Sequence, residues 1–431
     1  MWLNMTVWKH LPLLLLCCWF SAALMAADRR EYQHGVEFVP LPDGRYWLLW
    51  SSSPGSPPEG DQKVILDDGS KCKYFNHDIF YSLIGPENPV IKEQQLISLP
   101  EAQEPVSAAI SKDGMIALTF EDGSDSDIAN CDGIIQQRYQ MFDSSLKPIS
   151  RLNKVAINGA HSGHIAAVGN KFVVVYAEGW IDEGGVDGAG SANDVLVDVI
   201  NSRGERLHHL GIAVDKGSPR DWWPLIAGSD KYAMLVWQRY VPESRYANLM
   251  YAIYDPRSNN LVKEISLLKA NLVYYYYDVQ YLPSINRFLI VGNYVGDTLL
   301  HKIGRALSVV SPKAFAYLLD EQGKIIDQWD ASLDCNNCPT YFNHPIVRES
   351  QPAIFEGEGE GMGTVKVLYP TKPKGIMAFN ITASKIEMQD HIDSDHYWFP
   401  LGTDGIFLDE NTAYFANLTQ QGLKTLIFKL E

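Results

Sequence analysis

Four short stretches of this chain carry the residue types that chemistry needs. In HSGH, His161 and His164 stand three residues apart. The pair could hold a metal ion, supply a general base, or serve as hydrogen-bonded structural groups. In PRDWWP, Arg220, Asp221, Trp222 and Trp223 set two indoles beside a cation and a carboxylate. Aromatic faces flanked by polar groups suit sugars, because a ring covers the CH face while the polar groups take the hydroxyls. The same residues could be plain packing. Side chains alternate along a strand, so a regular strand sends the two indoles to opposite sides. The run YYYYD ends in Tyr277 and Asp278 and reads as rings of an inner strand or as part of a reactive site. DGSDSD brings Asp122, Asp125 and Asp127 into one tight loop, suited to Ca²⁺ or to plain solvation. It lacks the glutamate that closes an EF-hand loop.

Two reactions fit subsets of these groups. His164 or Tyr277 as base, with Arg220 neutralising a substrate carboxylate, would make a lyase-like site for an acidic polysaccharide. Glycoside hydrolysis needs two facing carboxylates instead, for which Glu104, Asp221 and Asp278 are the candidates. No complete catalytic signature accompanies either set.

The elements that must position these residues follow from internal repetition. A short apolar strand, a turn, a strongly apolar strand, a variable loop, an alternating strand and a fourth strand recur. In residues 224–268 the phrase runs PLIAGSD, KYAMLVWQRY, ANLMYAIYDPRSN, LVKEISLL. Its third strand sets Leu249, Tyr251 and Ile253 against Met250, Ala252 and Tyr254, the period-two pattern of a strand packed on both faces. Successive second strands lie about 50–75 residues apart, the spacing of four-stranded modules with variable loops. The tail supplies only three strands, and REYQHGV near the start is placed to add the missing outer one, which would leave no open edge. The expected fold is therefore all-β, a seven-bladed β-propeller of four-stranded antiparallel blades closed by its N- and C-terminal strands. This cadence resembles the broad superfamily of secreted bacterial β-propellers, sialidase-like and related. The sialidase-type Asp box is approached only by Ser111-Lys112-Asp113-Gly114, and WD-type signatures are absent.

In such folds the loops between second and third strands share a face with the connections between blades, and that face often carries ligands. The long loops of this chain belong to that class. Residues just before the innermost strands of blades two to seven are Glu104, His164, Trp223, Asp278, Gln351 and Phe399, with Tyr397 and Trp398 beside the last. His344, His391 and His396 fall in the connections into blades six and seven. A ligand site ringed by these residues is the expectation. Cys72 and Cys131 fall in loops of adjacent blades on the same face, spaced for a disulfide. Cys335 and Cys338 form CNNC, read as a small-loop disulfide, a metal knuckle or a redox pair.

Residues 1–26 hold Lys9 before an apolar run too short for a comfortable membrane span, and read as a signal peptide ahead of one domain over 28–431. No later segment is apolar enough to span a bilayer. An even number of cysteines in the remainder fits an oxidising compartment, periplasmic or secreted. The formal net charge of −16 would repel a phosphate backbone, which argues against nucleic acid. Together these features predict a secreted or periplasmic propeller that binds a polar ligand, carbohydrate foremost, at its channel mouth. The alternatives are a polysaccharide lyase or glycoside hydrolase on the same face, and a scaffold whose acidic loops bind a protein partner.

Overall fold

The computed structural model describes residues 36–52, 61–65, 71–75, 77–125, 127, 136–156, 161–178, 194–214, 220–240, 247–294, 313–331, 351–357, 363–371, 375–392, 402–419 and 422–430. Nearly all of this is strand, paired antiparallel in sheets. Among the described residues no helix is long and apolar enough to cross a membrane.

The first sheet starts with β1 (Glu37–Pro40) and β2 (Tyr46–Ser52). A separate hairpin of β3 (Asp61–Ile65) and β4 (Lys71–Phe75) interrupts the connection to β5 (Asp78–Ile84) and β6 (Gln94–Ile97), where sequence reading expected only loop. The second sheet comprises β7 (Gln103–Ile110), β8 (Ile116–Asp122), β9 (Gln136–Phe142) and β10 (Asn153–Ala156). The third holds β11 (His161–Val168), β12 (Lys171–Glu178), β13 (Asp194–Asn201) and β14 (Arg206–Ala213). Next come β15 (Arg220–Gly228), β16 (Ala233–Tyr240), β17 (Ala247–Asp255), β18 (Asn260–Leu282), β19 (Arg287–Tyr294), β20 (Lys313–Leu319) and β21 (Ile325–Asp330) in one seven-stranded ladder. The fifth sheet contains β22 (Ala353–Glu356), β23 (Thr364–Thr371), β24 (Gly375–Thr382) and β25 (Ile386–Ile392). The last has three strands, β26 (Asp404–Asp409), β27 (Thr412–Thr419) and β28 (Gly422–Lys429).

The seven-stranded ladder corrects the expectation of two separate four-stranded repeats. Residues 260–282 contain neither glycine nor proline, so nothing breaks the strand where one repeat passes into the next. β18 pairs with β17 over its first half and, after a register shift, with β19 from Tyr277 to Leu282.

Alternation explains why the sheets pack face to face. In β17, Leu249, Tyr251 and Ile253 enter one core with β18, β19 and β20, while Met250, Ala252 and Tyr254 enter another with β12 and β13. In β12, Val173 and Val175 face the β16 side, whereas Phe172, Val174 and Tyr176 face Ala117, Tyr139 and Met141 of the second sheet. Each sheet is thus sandwiched between its neighbours, and each large side chain buried this way contributes about 1.5–3 kcal/mol.

The first strands of successive sheets meet one another. The Ala108 amide of β7 donates to Glu37 Oε2 of β1 at 2.9 Å, and the Ile165 amide of β11 donates to Ser107 Oγ of β7 at 3.3 Å. His164 Nδ1 donates to the Pro224 carbonyl in β15 at 2.9 Å, and the Tyr277 hydroxyl of β18 donates to the Trp223 carbonyl. Asp278 of β18 accepts the Tyr369 hydroxyl of β23, and the Gln351 amide before β22 donates to the Thr403 carbonyl before β26 at 2.9 Å. Phe38 of β1 donates its amide to Asp404 Oδ2 of β26 at 2.7 Å, tying the first sheet to the last. The approach is close: a Cβ on Gly228 of β15 would lie 1.9 Å from the Ala167 carbonyl oxygen of β11. The REYQHGV stretch expected to add a closing strand lies outside the described residues up to residue 35. Val36 donates its amide to the Gly402 carbonyl at 3.2 Å.

Candidate functional site

Where the first strands converge they enclose a cavity of 420 Å³, walled by β1, β7, β11, β15 and β18 together with Gln351. The wall combines polar side chains, Glu37, Ser107, His164, Asp278, Gln280 and Gln351, with apolar ones such as Pro40, Ile110, Ala167, Leu225 and Pro283. Period-two alternation puts Asp278 and Gln280 on the same side of β18, and Gln280 Nε2 donates to Asp278 Oδ2 at 3.0 Å. Glu37 and Asp278 are both buried, and each accepts hydrogen bonds on its carboxylate.

The His164 ring is held through one nitrogen. Its Nδ1 lies 2.9 Å from the Pro224 carbonyl and 3.2 Å from the Ser162 carbonyl. Carbonyl oxygens only accept, so Nδ1 carries a proton. A bulge between His161 and His164, with Ser162 in the left-handed region at φ 56°, sets this ring orientation.

The PRDWWP residues belong elsewhere. Arg220, Asp221, Trp222 and Trp223 are the opening residues of β15 rather than a loop before it, and all four are buried. Asp221 accepts Trp237 Nε1 at 2.6 Å and both Arg239 Nε and Nη2 at 2.8 Å, a bidentate ion pair that holds β15 to β16. The Arg220 guanidinium sits 4.5 Å from the Trp222 ring centre. Both tryptophans join one hydrophobic core with Leu249, Tyr251 and Tyr277, contrary to the expected opposite orientations. The cause is a bulge between Trp222 and Leu225 with Trp223 at φ 54°, which breaks the alternation. Neither ring is part of the cavity wall; the Trp223 ring instead meets His164 edge-on from behind, at 6.5 Å between centroids.

Of the expected mouth residues, the structure brings His164, Asp278 and Gln351 together on one cavity wall. Tyr277 is buried behind it. His391 lies within β25, not in a connection. His344, His396, Tyr397, Trp398 and Phe399 lie outside the described residues, as do Cys131, Cys335 and Cys338. The side chains of His161, Cys72 and Glu104 do so too. Asp122 and Asp125 share Arg138 as their cation, Asp122 also accepts the Ser124 amide at 3.0 Å, and Asp127 is exposed. Among the described residues no group of three His, Cys, Asp or Glu side chains is arranged to hold a metal ion. Glu37, Ser107 and Gln280 were not anticipated. A carboxylate inside the apolar run GVEFVP was the available signal for Glu37, since a charge there is costly unless it is hydrogen-bonded.

No family model matches this chain, and no curated protein matches it. Among solved structures, a protein of unknown function from Dyadobacter fermentans superposes with a TM-score of 0.51 at 11% identity, covering 94% of this chain and 97% of that one. The two share a fold. Sialidase-like β-propellers also stand among the similar structures. The Trypanosoma rangeli sialidase in complex with the inhibitor DANA has a TM-score of 0.44 at 9% identity over 86% of this chain. The chain spans 58% of that sialidase's length. The GH93 α-L-arabinofuranosidase of Fusarium graminearum, in complex with arabinobiose, has a TM-score of 0.41 at 12% identity over 76% of this chain and 93% of that one.

Proposed function

We propose that residues 28–431 form a seven-bladed propeller whose central cavity binds a polar, carbohydrate-like ligand. The unbroken β18 then belongs to two blades, and β1, β7, β11, β15, the second half of β18, β22 and β26 are the seven innermost strands. The hydrogen bonds that join neighbouring sheets at or beside these strands support the blade count. One observation carries the ligand reading: the cavity wall combines hydrogen-bonding side chains with apolar ones. A pyranose or furanose needs both, amides and hydroxyls for its hydroxyl groups and an apolar surface for its CH face. Residues 1–26 act as a secretory leader in this reading, which gives the protein a periplasmic or extracellular place of work, with the cysteine pairs oxidised there.

The test is a panel of mono- and oligosaccharides, read as a rise in melting temperature of the full chain. Free ligand at about 100 times its Kd should stabilise the protein by about 2.7 kcal/mol. Gln280→Ala and Gln351→Ala should weaken binding about tenfold or more, by removing hydrogen bonds that a sugar hydroxyl cannot replace with water. A panel that leaves the melting temperature unmoved sinks the proposal and favours a protein-binding scaffold.

A second reading has its own support. Glu37 and Asp278 stand on the same wall as His164, so two carboxylates of the kind a glycoside hydrolase uses lie together there. Release of reducing ends from any bound oligosaccharide, lost in Asp278→Asn, distinguishes hydrolase from binder. Arg220, the cation of the lyase alternative for acidic polysaccharide, lies over the Trp222 ring and is not among the residues of this cavity wall.

A further inference from the structure

We propose that the connection between β6 and β7 is a proton-held clasp: it stays shut while Glu101 keeps its proton and opens to solvent when that proton leaves. This device is independent of what the cavity binds.

Residues 98–102 form the connection, and the side chain of Gln103 winds them into place. Its Nε2 donates to the Pro100 carbonyl at 3.0 Å and to the Glu101 carbonyl at 2.9 Å, while its Oε1 accepts the Leu99 amide at 3.1 Å. The Gln103 amide donates to the His77 carbonyl at 2.7 Å, and the Gly123 amide donates to the Ala102 carbonyl at 3.0 Å. The connection is thereby fastened to the start of β5 and the end of β8. Gly123 is its seat, since a Cβ there would lie 3.0 Å from the Glu101 Cβ.

Glu101 meets two constraints in this shut form. It holds φ at 65°, a left-handed backbone that is unfavourable for a residue with a Cβ. Its carboxyl is buried, and among the described residues neither a hydrogen bond nor an ion pair reaches it. The titratable groups on the elements packed against it are His77 and Asp78 beside and on β5, Glu121 and Asp122 on β8, and Arg138 on β9. Asp78 accepts Gln95 Nε2, Glu121 accepts the Ser162 amide, and Asp122 pairs with Arg138. Burial alone pushes the Glu101 carboxyl up, to about 7, with no contribution from these charges.

A carboxyl without a partner tolerates burial as the neutral acid, not as the anion. Once ionised it gains water by swinging outward, and the same movement lets its backbone relax to an ordinary φ. The shut form is fully favoured below the ordinary value of 4.5, loses ground as pH rises to about 7, and changes no further above that. The clasp leads into β7, which carries Ser107 and Ala109 of the cavity wall, so it opens at the head of a wall strand.

The test is hydrogen exchange of the full chain, read by mass spectrometry on the peptides holding the Leu99, Gln103 and Gly123 amides. Rates are taken from about pH 4 to about pH 9 and corrected for intrinsic exchange. These amides should exchange by local opening, with less protection than those of β12. Their protection should fall at least about fivefold up to neutral pH and then stay level. In Glu101→Gln it should be level throughout. Glu101→Gly, which suits the left-handed backbone and lacks the carboxyl, should be level too. Burial also raises Asp78, the rival source of a pH response, so Asp78→Asn should keep the parent's profile. The profile of the unaltered protein needs no variant. The clasp is overturned by protection that ignores pH in the parent, or by a response that survives in Glu101→Gln. Clasp amides protected as strongly as those of β12 also overturn it, because the connection would then open only when the whole molecule does.

Discussion

Glu101, on the connection between β6 and β7, is only 8% exposed and holds its backbone left-handed at φ 65°. Burial pushes its carboxyl up to about 7, well above the ordinary range of a glutamate. A carboxyl raised in this way favours the folded state while protonated. Its contribution is fully present below the unfolded value of 4.5 and is lost as pH rises through about 7. Glu101→Gln should therefore leave stability unchanged in acid and raise it at pH values above the shifted one, by about 1 kcal/mol once partial solvation of the carboxyl is allowed for. Urea denaturation of both proteins on either side of that range checks this; a variant that is no more stable than the parent at alkaline pH contradicts it. Asp221 shows the opposite solution to the same problem, since its buried charge is met by a forked arginine and an indole N–H.

The first strands of neighbouring sheets approach so closely that side-chain volume becomes the limit at particular points. Gly228 faces the Ala167 carbonyl with no room for a Cβ, so Gly228→Ala must push β15 away from β11. We expect a loss of about 1–3 kcal/mol, the cost of overpacking a tight contact, visible as a lowered denaturation midpoint. An unchanged midpoint would mean that the two strands slide apart freely. Alternation made the two-faced strands readable in advance: Leu249, Tyr251 and Ile253 part from Met250, Ala252 and Tyr254 as the pattern required. Trp222 and Trp223 defeated the same rule. A bulge is set by what the neighbouring strands demand, and no local spacing announces it. His164, Asp278 and Gln351 could be located because the repeat sets each beside the expected start of a first strand, although His164 and Asp278 prove to lie within β11 and β18. Glu37 opens β1, the first strand of the first sheet, which no preceding connection marks. The unbroken run of β18 was hidden by the cadence itself, which places a boundary wherever a fourth strand is due.

For the molecule as a whole, the sheets hold together through cores shared between neighbours and a few buried hydrogen bonds across them. Asp404 is one such point, accepting the buried Phe38 amide from the far end of the chain. Asp404→Ala would leave that amide without its acceptor and should cost about 1–3 kcal/mol. The loss should appear in denaturation monitored by tryptophan fluorescence, where Trp47 and Trp50 report on the first sheet. Loss of signal from the first sheet with the rest intact would mean that the sheets melt one by one; a single shifted transition is the expected result.

The partners in that contact are 366 residues apart. The apolar face carrying Phe38, Leu48 and Trp50 is covered by Tyr414, Ala416 and Leu418, near the opposite end of the polypeptide. During synthesis at about 5–20 residues per second, the first of these waits about 20–70 s for the second to be made. For that interval a newly made greasy surface stands uncovered beside the ribosome. The nascent chain is thus a client for holding factors throughout its production, and a premature stop within the final strands would release a product whose first sheet never finds its cover.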